Sequence, residues 1–108
     1  MKSKDIVLTF IQALNREDFA TAKKYLDDDM SFEGVLGSRK GAGVYIEDMK
    51  KMKFKYEVQK ALADENDVAL LYSIDMGGTT ILTAGWYGVS NGKIMTIKVI
   101  FDPRPVLK

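Results

Sequence analysis

The stretch from Val68 to Val89, VALLYSIDMGGTTILTAGWYGV, decides the fold class of this chain. In its first half, apolar residues alternate with other residues at the period of a β-strand that buries one face. The pair Gly77-Gly78 then supplies a tight turn, because glycine adopts positive φ angles without steric cost. The second half continues as a strand rich in β-branched and aromatic residues. The segment therefore predicts two antiparallel strands joined as a hairpin.

Further strands flank this hairpin on both sides. FKYEVQKAL, which begins at Phe54, and KIMTIKVIFD, which ends at Asp102, alternate in the same way and extend the hairpin to four consecutive strands. A short strand over Met30–Val35 precedes them and is followed by a glycine-rich connection over Leu36–Gly43. Because the four long strands follow one another through short turns, the sequence predicts a mostly antiparallel sheet.

The N-terminal half of the chain has helical periodicity instead. In the first segment, Ile6, Phe10 and Leu14 recur at the spacing of one helix face. A second helix begins near Phe19 and ends at three consecutive aspartates, because acids oppose the dipole at a helix C-terminus. A third helix spans Ala42–Met52. Helices that precede an antiparallel meander predict an α+β fold, in which a single cone-shaped domain over residues 1–108 packs three N-terminal helices on a strongly curved sheet.

The composition excludes several kinds of chemistry. The 108 residues include no cysteine and no histidine, and the net charge is +1. Disulfides, thiolate nucleophiles and histidine-based catalysis are therefore excluded, so that any proton transfer must use Asp, Glu, Tyr or Lys. We expect no metal, no cofactor and no nucleic-acid partner, and we interpret the basic run over residues 50–60 as a solvated face.

The N-terminal segment is predicted to be a helix and not a signal peptide. Its apolar part is short, is preceded by Asp5 and is not followed by a small-residue cleavage site. No apolar run reaches the length that a bilayer requires. We therefore expect a cytoplasmic protein without a membrane partner.

Three segments carry a resemblance to a known superfamily. They are LNREDFATAKKYLDDDMSFEG (Leu14–Gly34), GSRKGAGVYIEDM (Gly37–Met49) and NGKIMTIKVIFDPRPVL (Asn91–Leu107). Together with the order of elements, they resemble the nuclear-transport-factor-2-like superfamily, and within it the SnoaL-like and ketosteroid-isomerase-like proteins. The resemblance implies the same cone-shaped fold. It does not imply one activity, because the superfamily includes isomerases, cyclases, hydrolases, transport factors and domains without known chemistry.

The resemblance to ketosteroid isomerases places that family's three catalytic positions on residues that cannot ionise. The general base falls on Gly34, next to Glu33. The tyrosine of the oxyanion hole falls on Phe10, and the protonated aspartate falls near Ala84. Removal of a proton next to a ketone needs a base and donors for the enolate. Ketosteroid isomerase activity is therefore not expected.

Asp102 is the remaining candidate for a catalytic residue. SnoaL-like cyclases resemble this chain and use an aspartate late in their last strands, which implies that Asp102 acts as the general base. Strand alternation argues the other way, because Phe101 belongs to the inward set and Asp102 should then point outward. The alternative is a strand-end carboxylate bonded to nearby backbone, Arg39 or Arg104. Glu33 is likewise predicted to point outward.

The inner face of the cone is predicted to hold an apolar, aromatic-lined pocket for a small apolar or aromatic molecule. Tyr56, Tyr72 and Trp86 supply polar groups in this lining, and Leu82 is assigned to the same face of its strand. The alternative is a fully packed core. The residues predicted to contact the ligand are Phe10, Phe32, Phe54, Tyr56, Tyr72, Ile74, Met76, Trp86, Ile97, Val99 and Phe101.

Three functions follow from these observations. The first is a binding domain without evident catalysis, and the second is a SnoaL-like cyclase or isomerase that uses Asp102. The third is an interaction module that forms dimers. In each case we expect a homodimer through the outer face of the sheet, because Leu71, Ile94 and Ile100 are assigned to that face and exposed apolar residues there need a partner.

Overall fold

Residues 1–107, which the computed structural model describes, form three α-helices, six β-strands and a short 3₁₀ helix. The chain begins with two helices and ends with a four-strand meander. In chain order the elements are α1 (Ser3–Asn15), α2 (Phe19–Lys24), β1 (Leu26–Gly34), β2 (Gly37–Lys40), α3 (Ala42–Met52), β3 (Lys55–Asp64), β4 (Asp67–Asp75), β5 (Thr80–Ser90), β6 (Lys93–Ile100) and the 3₁₀ helix Arg104–Val106.

The six strands form one sheet in the order β2-β1-β6-β5-β4-β3. All neighbouring strands are antiparallel except β1 and β6, which run parallel. The three helices pack on this curved sheet, which confirms the predicted α+β cone. No helix within residues 1–107 combines the length and the apolar character needed to cross a membrane.

The β1 region differs from the prediction in two ways. The strand begins at Leu26 and not at Met30, so that the three aspartates lie inside it. They are tolerated there because this part of β1 pairs irregularly with β6 and leaves Asp28 and Asp29 exposed. The expected glycine-rich loop is in part the strand β2, because Gly34 pairs with Gly37 and closes a tight hairpin.

The core lies between α1 and the inner face of the sheet. The buried residues of α1 are Ile6, Val7, Phe10, Ile11, Ala13 and Leu14. They form one stripe because helical residues three and four apart share a face. α1 contacts β3, β4 and β6, so this stripe is covered by the meander.

A bulge in β6 changes which residues face the core. Gly88 pairs with Thr96 and Val89 pairs with Ile94, so Met95 is an extra residue without a partner. An extra residue reverses the alternation of the strand. As a result Ile94 is fully buried, and its assignment to the outer face was wrong.

β3 is an edge strand of the sheet, and the Asn15 side chain at the end of α1 makes two of the hydrogen bonds that a further strand would make. The Asn15 amide donates from Nδ2 to the Tyr56 carbonyl oxygen at 2.8 Å, and its Oδ1 accepts from the Tyr56 N–H at 2.7 Å. Lys55 Nζ donates to the Asn15 carbonyl oxygen at 3.0 Å and to Glu17 Oε2 at 2.8 Å. These bonds attach the helix to the edge strand and hold Tyr56 in place.

Replacement of Asn15 by Ala should lower the free energy of unfolding by about 1–3 kcal/mol, because the N–H and the C=O of Tyr56 lose their partner in a half-buried position. Asn66→Ala, in the exposed turn between β3 and β4, is the matched control and should change it by less than about 0.5 kcal/mol. Urea denaturation followed by circular dichroism measures both. Equal effects of the two substitutions would contradict this role of Asn15.

Candidate functional site

A cavity of about 370 Å³ lies between the inner face of the sheet, α3 and the β1–β2 hairpin. This volume is within the range of small-molecule sites, about 300–1,000 Å³. Its wall is mainly apolar, with Met49, Met52 and Met76 among its members. Methionine side chains are flexible and polarisable, so such a wall adapts to ligands of different shape.

Most of the residues that the sequence assigned to the pocket do line this cavity. They come from β1, β3, β4, β6 and the segments that flank them. They are Phe32, Phe54, Tyr56, Tyr72, Ile74, Met76, Val99 and Phe101.

Two other predicted residues, Phe10 and Ile97, are buried in the core and not in the cavity wall. Phe10 lies directly behind the wall, since its ring centroid is 6.4 Å from that of Tyr45 and 6.5 Å from that of Tyr87. These distances are typical of stabilising aromatic pairs. Phe10 therefore supports the cavity from the core side.

The assignment of Trp86 and Leu82 to the inner face was wrong. Trp86 is 53% exposed and Leu82 is 60% exposed, whereas Thr83 and Tyr87 are buried. Both faces of β5 carry apolar residues, so alternation alone does not distinguish them. On the outer face, Trp86 Nε1 donates to Asp67 Oδ1 at 3.0 Å and the Lys98 ammonium lies 5.6 Å from the indole centroid.

A pair of tyrosines from adjacent strands lies in the wall of the cavity. The hydroxyl oxygens of Tyr72 on β4 and Tyr87 on β5 are 2.7 Å apart and share a hydrogen bond in a buried position. Burial raises the pKa of Tyr72 to about 12, although the bond from Tyr87 opposes this shift. Burial also raises the pKa of Tyr87 well above its usual value. Both phenols are therefore neutral near neutral pH.

Gly85 provides the space for this pair. A Cβ atom at Gly85 would overlap the Tyr72 hydroxyl oxygen and would lie 3.0 Å from a ring carbon of Tyr87. No side chain fits in this space, so a glycine is required beneath the two phenols. Gly85, two positions before Tyr87, was therefore the feature of the sequence that could have predicted that Tyr87 points inward.

Two further tyrosines add hydroxyl groups to the wall. Tyr45 of α3 packs against Phe32 with ring centroids 5.3 Å apart, and burial raises its pKa, with the nearby Asp48 carboxylate adding to the shift. Tyr56 packs against Tyr72 at 5.6 Å, and its hydroxyl lies 3.7 Å from Met49 Sδ. Burial raises the pKa of Tyr56 as well. The wall therefore offers neutral phenols within an apolar surface.

Charged groups of the cavity wall are paired with each other. Arg39 of β2 donates from Nε to Asp48 Oδ2 of α3 at 2.7 Å. The Arg39 side chain is 56% exposed and that of Asp48 is 27% exposed, so this ion pair lies at the solvent side of the cavity. Neither residue was assigned to the site from sequence, because Arg39 was expected in a loop and the pair forms only where β2 packs on α3.

The structure does not support Asp102 as a general base. Asp102 is exposed and does not line the cavity. Its carboxylate accepts from the side chain and the backbone N–H of Arg104, and the Oδ2–Nη2 distance is 2.6 Å. These bonds lower the pKa of Asp102 to about 2. The geometry agrees with the alternative of a strand-end carboxylate held by Arg104.

Asp48 contributes a carboxylate to the cavity wall, and the other acid positions considered from the sequence add none. Glu33 is exposed, as predicted, and Gly34 lies in the wall where the resemblance places a base. Among residues 1–107, no group of three acidic side chains is close enough to hold a metal ion. The arrangement can therefore enclose an apolar molecule and hydrogen-bond to it through phenols.

Comparison with known proteins agrees with the fold. The model of the SnoaL-like domain family matches residues 7–97. A crystal structure of an NTF2-like protein of unknown function from Cytophaga hutchinsonii is 46% identical, with a TM-score of 0.98 over 100% of this chain and 96% of that chain. No match to a curated protein was found.

Two more distant structures share the fold alone. An LEH-like epoxide hydrolase from M. tuberculosis is 23% identical, with a TM-score of 0.85 over 94% of this chain and 84% of that chain. A provisionally named ketosteroid isomerase from Kribbella flavida is 14% identical, with a TM-score of 0.86 over 93% of this chain and 77% of that chain.

Replacement of Gly85 by Ala should destabilise the protein by about 1–3 kcal/mol, because the added methyl group forces the Tyr72 hydroxyl away from Tyr87. The same change at Gly43, an exposed position of α3 where a Cβ meets nothing within 4 Å, should stabilise the protein by about 0.5–1 kcal/mol. Thermal and urea unfolding measure both signs. Stabilisation by Gly85→Ala would contradict the tight contact.

Proposed function

The chain belongs to the SnoaL-like family, and we propose that it binds a small, flat, largely apolar molecule in the cavity between the sheet and α3. This proposal rests on the composition of the cavity wall. It combines apolar and aromatic surface with the hydroxyl groups of Tyr45, Tyr56, Tyr72 and Tyr87. Ligand sites are typically apolar surfaces with a few convergent polar groups.

The same wall favours binding over acid–base catalysis. Its phenols have raised pKa values and stay protonated near neutral pH. Asp48 is held by Arg39, and Asp102 is held by Arg104 outside the cavity. A general base needs to reach the substrate and to have a pKa near the working pH. Neither condition is met by Asp102, so we infer a binding domain and not a cyclase or isomerase.

A substitution that fills the cavity tests the proposal. Val99→Phe adds ring volume to a half-buried wall position and should abolish the uptake of a fluorescent apolar dye, together with the rise in melting temperature that a bound ligand causes. Val44→Phe makes the same chemical change on the exposed side of α3 and should leave both readouts as in the wild type. Equal dye uptake by the two variants would contradict binding in this cavity.

We also propose that the protein forms a homodimer through the outer face of the sheet. Register aligns Leu71, Ala84 and Ile100 in one row across β4, β5 and β6. Leu62 and Trp86 lie in a neighbouring row, and Leu82 lies on the same face. The large apolar side chains of this face are between 40% and 68% exposed.

A second copy of the chain is the occupant that fits this face. In an isologous dimer the same patch of each copy faces the other, so the patch must be complementary to itself. An apolar patch meets this condition. The net charge of +1 adds little repulsion between two copies. Clusters of exposed apolar side chains on one sheet face are a recognised sign of an association site.

Replacement of Leu82 by Glu should shift the protein from dimer to monomer, because it places a charge within the apolar face of each copy. Val44→Glu, on the exposed side of α3, is the control and should leave the dimer intact. Light scattering at micromolar concentration measures the mass. A monomeric wild type would overturn this proposal without affecting the proposed ligand site.

A further inference from the structure

The charged side chains at the mouth of the cavity, which is its solvent side, are held to each other by a single contact. Within residues 1–107, Arg39 and Asp48 are the only charged residues that line the cavity. Arg39 Nε donates to Asp48 Oδ2 at 2.7 Å, and this is the one hydrogen bond of either side chain in that part of the protein. The pair of Arg104 and Asp102 differs, because Arg104 there donates to both carboxylate oxygens.

The single contact leaves hydrogen-bonding groups of both residues free for a ligand. A guanidinium has five N–H donors and a carboxylate has two acceptor oxygens. The contact uses only Nε and Oδ2, so the Nη groups of Arg39 and the Oδ1 atom of Asp48 have no side-chain partner among the described residues. Both side chains are partly exposed, so water reaches these groups. The polar end of a ligand can replace this water.

The side chains next to the pair at the mouth are apolar. Val35, Leu36 and Met52 line the cavity and are exposed. Their side chains offer no strong hydrogen bond to a ligand. A ligand whose ring lies in the cavity therefore finds the polar partners of the mouth at Arg39 and Asp48.

The opposite charges of the pair determine which polar group fits there. A ligand carboxylate would bond to Arg39 but would be repelled by the Asp48 carboxylate, and an ammonium group would have the opposite problem. A ketone accepts from Arg39 but gives Asp48 no donor. A primary carboxamide is neutral and carries an acceptor and a donor side by side, so it can bond to both residues.

We propose that Arg39 and Asp48 together bind the carboxamide group of a flat aromatic amide, with the guanidinium donating to the amide oxygen and the carboxylate accepting from the amide N–H. This inference rests on the proposed function of the cavity, because the ring of the amide occupies the apolar space. It predicts that the pair sets the chemical preference of the site, and that removal of one partner changes the order of that preference.

The test uses three naphthalenes that carry a carboxamide, a methyl ketone or a carboxylate at the same ring position. Isothermal titration calorimetry at neutral pH should show that the wild type binds the carboxamide about threefold to tenfold more tightly than the ketone, which corresponds to one added hydrogen bond at a partly exposed site. The carboxylate should bind most weakly of the three.

Replacement of Asp48 by Ala should reverse this order. The change leaves Arg39 without its carboxylate, so the ligand carboxylate should become the tightest of the three probes. Alanine is a good helix former, so α3 should remain folded, which circular dichroism checks. Asp102→Ala removes the aspartate of the other arginine–aspartate pair, which lies outside the cavity wall. It is the matched control and should keep the wild-type order.

The remaining outcomes separate this assignment from the function of the cavity. If the wild type binds the ketone as tightly as the carboxamide and Asp48→Ala leaves the order unchanged, the assignment of the pair is overturned while the apolar cavity stands. If the wild type binds the carboxylate most tightly, Arg39 forms an anion site and the carboxamide is the wrong class. If none of the three probes binds the wild type, the proposed function of the cavity fails as well.

Discussion

The apolar stripe of α1 is buried against the inner face of the sheet, and the other elements are arranged around this contact. Val7, Phe10 and Leu14 are almost fully buried there, and each such side chain contributes about 1.5–3 kcal/mol relative to an exposed one. Asn15 then fixes the end of the helix to Tyr56 on the edge strand. α1 covers only part of the sheet, and α3 packs on the β1–β2 side of it, with the cavity between α3 and the inner face of the sheet. Phe10 connects the two regions, because it belongs to the core and supports the rings of Tyr45 and Tyr87 in the wall.

The cavity wall concentrates the polar groups of the interior. It contains four tyrosines and one ion pair, and three of these tyrosines, Tyr45, Tyr72 and Tyr87, are at the same time buried members of the core. A side chain that only had to fill space could be Phe at these positions, without the cost of burying a hydroxyl. Gly85 supports the same conclusion. A glycine weakens a central strand, and it is found where a ligand or another group must approach the backbone closely. The pair of phenols over Gly85 is therefore the feature that most favours the proposed ligand site over a simple void.

The fold could be predicted from sequence because its signals are local and agree with one another. Alternation in β4 and the turn at Gly77-Gly78 both indicate a hairpin, and the stripe of α1 is continuous. Much of the site followed from the same alternation, which placed Tyr56, Tyr72 and Val99 correctly. The failures occurred where alternation is interrupted or ambiguous. The bulge at Met95 turns Ile94 to the inner face, although it was predicted to face outward. In β5 both faces are apolar, so Trp86 was predicted to face inward where Tyr87 does. Arg39 and Asp48 were missed because they meet only through the tertiary packing of β2 on α3.

The space beneath α3 is expected to be an apolar cavity with tyrosine hydroxyl groups in its wall. A crystal structure of the protein after exposure to xenon gas tests this expectation, because xenon enters dry apolar cavities and scatters strongly. We expect a xenon atom in contact with the apolar part of the wall, near Val99 and Met76, with the Tyr72 and Tyr87 hydroxyl groups still bonded to each other. A collapsed cavity without xenon, in which the side chains of α3 pack directly on Tyr72, would show that no such site exists.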